Sequence, residues 1–103
     1  MHPAILDKKP EIVAACQKYG VARLDIFGSA ARGRDFDPLS GDADFLVDFP
    51  PASGQDHFLD LKEAFEKILG RPIDLVDRKA VESSRNYLRR RHILAEAEPV
   101  CVA

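Results

Sequence analysis

The segment DADFLVDF at residues 42–49 alternates strictly between two sets of side chains. Ala43, Phe45, Val47 and Phe49 fall at one parity; Asp42, Asp44, Leu46 and Asp48 fall at the other. Successive side chains of a strand point to opposite faces. The pattern therefore predicts a strand that packs one face on helices and opens the other, at its start, into an acidic cleft. Such a strand cannot stand alone and requires partner strands and an apolar layer. Pro50 and Pro51 stop it.

The rest of the chain supplies those partners. Residues 8–19 read as a helix, with Asp7 as N-cap, Pro10 in the first turn and Ile12, Ala15, Cys16 and Tyr19 as its apolar stripe. Gly20 ends it. VARLDIF (21–27) reads as a strand, with Ala22, Leu24 and Ile26 on one face and Arg23, Asp25 and Phe27 on the other. A helix over 55–69, capped by Ser53 or Gly54, carries Phe58, Leu61, Phe65 and Ile68 along one side, and Gly70 and Pro72 close it. IDLVD (73–77) is a third strand, in which Asp74 interrupts an otherwise buried pattern; a carboxylate there needs a partner or a cation. Residues 79–96 are helical with breaks at Ser83, Ser84 and Asn86, and 99–103 suit a short last strand. The expected fold is a single α/β (α+β) domain over residues 1–103: a small mixed sheet of about four strands with helices on one face.

Composition removes several function classes. A formal charge of −2 gives no basic excess for a long nucleic-acid surface, so direct nucleic-acid binding is not expected. No apolar run reaches the ~18–20 residues of a membrane span, and the N-terminus lacks a signal-peptide pattern, so a cytoplasmic protein is expected. Cys16 and Cys101 are distant in sequence and lack zinc-site spacing, and His2, His57 and His92 are scattered; reduced, partly buried thiols are expected. The basic run RNYLRRRH (85–92) reads as a solvated helix face or a surface that meets a partner protein.

The chemistry is concentrated in GSAARG (28–33) and GDADF (41–45). A Gly-Ser turn after an apolar strand presents backbone N–H groups and a hydroxyl to phosphate oxygens. Gly28 allows close approach of the backbone, Ser29 can donate twice, and Arg32 can bind a triphosphate bidentately. Asp42 and Asp44, two apart on a strand, project together and call for a cation. Phosphate cradle plus carboxylate pair points to metal-dependent chemistry on a nucleoside triphosphate.

These elements, LDIFGS (24–29), ARG (31–33), DADFLVDF (42–49) and GRPIDLVD (70–77), resemble the minimal nucleotidyltransferase (MNT) family of the DNA polymerase beta-like superfamily, over about residues 10–102. The segment Ala30–Gly41 is longer than is usual in that family, and Gly41 stands where Ser is common. The resemblance implies a nucleotidyltransferase-like fold. It implies Asp42, Asp44 and Asp74 as catalytic residues and ligands of one or two Mg²⁺, with Asp74 also the general base, and Gly28, Ser29 and Arg32 as triphosphate binders. It further implies ATP as substrate and AMP transfer to a hydroxyl, of a tyrosine in at least some members, on a partner HEPN-type toxin for which this chain is the antitoxin. The alternative is a non-catalytic antitoxin that masks the toxin by binding alone.

Overall fold

The chain's secondary structure is punctuated by glycines that accept a left-handed backbone. Gly70, with φ of 66°, ends the longest helix among the described residues and donates its N–H to the Glu66 carbonyl at 2.8 Å. The computed structural model describes residues 3–28, 43–50 and 57–102. In chain order these form α1 (Pro3–Leu6), α2 (Lys9–Lys18), β1 (Arg23–Phe27), β2 (Ala43–Asp48), α3 (Phe58–Leu69), β3 (Ile73–Asp77), α4 (Arg78–Glu82), α5 (Tyr87–Glu96) and β4 (Glu98–Val102).

The four strands make one mixed sheet in the order β3-β2-β1-β4. β1 is antiparallel to both β2 and β4, and β2 is parallel to β3. The parallel pair needs a crossover, which α3 supplies. Its buried Leu61 and Phe65 lie against the sheet, with the Phe65 ring centroid 5.2 Å from that of Phe45. Ile12, Ala15 and Cys16 of α2 join the same core with Leu24, Ile26, Ala43, Phe45, Val47, Ile73 and Leu75. The odd-numbered residues of β2 thus form the apolar face that their alternation predicts.

Several expectations change. The helices occupy both faces of the sheet, not one. Phe27 and Leu46, on the opposite face, are sealed by Val81 of α4 and Ile93 of α5. The breaks at Ser83 and Asn86 cause this: they divide the expected 79–96 helix in two, and the Asn86 side chain caps α5 by accepting from the Arg89 N–H at 3.1 Å. The N-cap of α2 is Lys8, not Asp7, and it makes no side-chain cap bond. α1, which the pattern did not signal, buries Ile5 completely. α3 begins at Phe58 after His57; Ser53 and Gly54, the expected caps, lie outside the described residues.

Candidate active site

The site is assembled by strand register. In the parallel pair β2–β3, Asp44 lies directly opposite Asp74, so both carboxylates project from the same face. In the antiparallel pair β1–β2, Asp44 lies opposite Phe27, which brings Gly28 to its other side. Three elements remote in sequence thereby converge at one end of the sheet. The floor below is apolar: Phe27 and Leu46 are buried and Val76 packs against them.

Gly28 has a φ of 71°, and a Cβ placed there would stand 2.5 Å from Asp44 Oδ2. Any side chain would thus collide with the carboxylate as well as strain the backbone. The expected reason for glycine was approach to phosphate; the structure adds a second, room for Asp44. Asp44 itself is half-buried.

Asp74 departs from expectation. It is exposed, although its neighbours Ile73 and Leu75 are buried, because β3 is an edge strand and the α4–α5 layer begins to cover the face only at Val76. Its charge therefore escapes the desolvation cost that the sequence suggested. Two carboxylates opposed on adjacent strands repel, and a hard cation with oxygen ligands relieves that repulsion; the donor chemistry suits Mg²⁺. Among the described residues no group of three potential ligands gathers at a point. Asp42, Ser29 and Arg32 lie outside the described residues, so the third expected carboxylate and two of the expected triphosphate binders are not placed.

Further along the same face lies a carboxylate with a different fate. Asp25 is completely buried. It accepts from Arg23 Nε at 2.7 Å and Nη2 at 3.1 Å, and pairs with Arg78 Nη2 at 3.1 Å. Hydrogen bonding to Asp25, then its charge, raises the pKa of the Arg23 guanidinium. Arg78 opens α4, so the cluster ties that helix to β1. The alternation of β1 had placed Arg23 and Asp25 on one face without indicating that they pair; nothing in the sequence signalled Arg78. Asp48, expected as ordinary surface charge, is half-buried with Lys79 Nζ 3.8 Å away.

The profile of the nucleotidyltransferase domain matches residues 11–98. The chain belongs to that family. A protein adenylyltransferase MntA of Thermococcus cleftensis is 34% identical over 67 residues, 65% of this chain and 66% of that protein. A candidate protein adenylyltransferase of Methanocaldococcus jannaschii is 35% identical over 81 residues, 77% of each chain. Among solved structures, a candidate minimal nucleotidyltransferase superposes with a TM-score of 0.74 at 29% identity, covering 96% of both chains. A toxin–antitoxin MntA–HepT structure gives 0.62 at 15% identity, over 95% of this chain and 73% of that one, a likeness of fold. Nucleotidyltransferases act on nucleotide substrates, usually with a divalent metal.

Proposed function

We propose that the chain transfers AMP from ATP to a hydroxyl of a partner protein, with Mg²⁺ held by Asp44, Asp74 and Asp42. The observation that carries this reading is the register that opposes Asp44 and Asp74 beside the positive-φ Gly28. The names of the relatives, protein adenylyltransferases, support the reaction class. Mg²⁺, when bound, supplies charge neutralisation of the triphosphate and of the departing pyrophosphate.

This chain's own residues do the rest. Gly28 keeps the turn open to the nucleotide, and Ser29 donates to its phosphates. Arg32 offsets the negative charge that grows on pyrophosphate. Asp74, exposed at the sheet edge, accepts the proton of the attacking hydroxyl, which then forms the P–O bond to the α-phosphorus as pyrophosphate leaves. The acceptor is a tyrosine of a helical HEPN-type toxin, and the modification neutralises it. A solved structure of the same fold holds a tri-AMPylated Shewanella oneidensis HEPN toxin in complex with an MNT antitoxin.

Mass spectrometry tests the proposal. A HEPN-type toxin co-expressed with this chain should gain at least one AMP, and with Asp44→Asn it should gain none and arrest growth. Full protection by the mutant, with no AMP on the toxin, would replace catalysis with masking by contact.

A further inference from the structure

The only two cysteines of the chain, 16 and 101, come together on the side of the sheet away from the carboxylates. Cys16 lies on α2 and is buried in the main core; Cys101 lies on β4, at the sheet edge opposite β3, and is half-buried. A bulge brings them into register. β4 pairs Glu98 with Ile26 and Pro99 with Asp25, then skips Val100 and pairs Cys101 with Leu24. The extra residue turns both Val100 and Cys101 toward the core that contains Leu24 and Cys16. The two thiols line one surface groove with Gln17, Gly20 and Pro50.

We propose that Cys16 and Cys101 form a dithiol–disulfide site that a low-molecular-weight disulfide of the glutathione class oxidises to an intramolecular bridge. The half-buried Cys101 is the accessible thiol. Burial, together with Cys101, pushes the Cys16 thiol up to about 12 and keeps it protonated until it is engaged. Cys101 gives up its proton and attacks one sulfur of the oxidant, whose S–S bond breaks and releases one reduced thiol. Cys16 then loses its proton and attacks Cys101 Sγ, and the mixed disulfide breaks to release the second. The protein loses two electrons and two protons, and one oxidant disulfide becomes two thiols. The placement of Cys16 and Cys101 in one groove makes the second step intramolecular, which favours it over a dimer.

The bridge would tie α2 to the last strand and enclose all the elements between them. A loop of that length removes much freedom from the unfolded chain, so oxidation should act as a lock on the fold. The inference is independent of the proposed reaction.

The test uses the full chain incubated with oxidised or reduced glutathione. The oxidised sample should lose the mass of two hydrogens and yield a Cys16–Cys101 linked peptide. Its Tm should rise by roughly 10 °C, reversibly with dithiothreitol. Cys101→Ser, a change at a half-buried position, should melt close to the reduced wild type and show neither mass loss nor oxidation-dependent rise. A stable glutathione adduct on Cys101, a disulfide-linked dimer, thiols that stay reduced, or a bridge without a rise in Tm would each overturn the proposal.

Discussion

Asp25 and Asp74 project from the same face of one sheet, yet their surroundings are opposite. Asp25 sits under the α4–α5 layer, completely buried, with two arginines on its oxygens. Asp74 stands beyond that layer, exposed and opposite Asp44. The first carboxylate is committed to holding structure; its cations are built in. The second faces a like charge across the strand gap, a pairing that favours an added cation. Residue type does not separate the two roles. The edge of the second helical layer does.

The largest expected effect lies at the open end. Asp74→Asn should lower AMP transfer by ~10³ or more, on the order of 4 kcal/mol of transition-state stabilisation. Because the side chain is exposed, Tm should move little, as surface changes usually shift stability by about 0.5 kcal/mol or less. Initial rates and a melting curve on one preparation measure both. A large loss of stability in this mutant would erase the contrast with Asp25.

At the covered end the expectation inverts. Asp25→Ala leaves Arg78, itself mostly buried, without its carboxylate and should cost about 3–5 kcal/mol in denaturant unfolding. Nucleotide affinity of the molecules that remain folded should be unchanged. If Asp25→Ala melts like wild type, the buried cluster contributes little and α4 is held by Val81 and the contacts of Lys79 with Asp48 and the Phe49 carbonyl.

Gly28→Ala is a smaller perturbation at the junction of the two regions. Its positive φ and the collision with Asp44 Oδ2 should cost about 1–3 kcal/mol and displace the carboxylate. Transfer should therefore fall more steeply than stability. A mutant that is as active as wild type would show that Asp44 tolerates the displacement.

Much of this was legible beforehand. The parity of β2 gave its apolar face correctly, down to Ala43, Phe45 and Val47, because a two-residue period survives any packing partner. The mixed four-stranded sheet followed from four strand patterns and one long amphipathic helix. The second helical layer did not. Residues 78–96 are rich in arginine and serine, so their few apolar anchors, Val81 and Ile93, are too sparse to reveal a buried face. That omission also misjudged Asp74, whose exposure depends on where the layer ends, and missed the burial of Asp25. The Asp44–Asp74 pairing was legible only through resemblance, since parallel register between strands joined by a crossover leaves no local signal. The meeting of Cys16 and Cys101 was hidden for a related reason: it depends on a one-residue bulge in β4.

The central claim is that the open end of the sheet binds a cation with its nucleotide, and thermal melting with Mg²⁺ and a non-hydrolysable ATP analogue tests it most directly. With the ligand about a hundredfold above Kd, linkage stabilises the wild type by about 2.7 kcal/mol, a rise in Tm of roughly 10 °C or more. Asp44→Asn and Asp74→Asn should lose most of that rise, and the wild type should lose it when EDTA removes the metal. An equal rise in wild type and both mutants would contradict the account and move nucleotide binding away from these carboxylates.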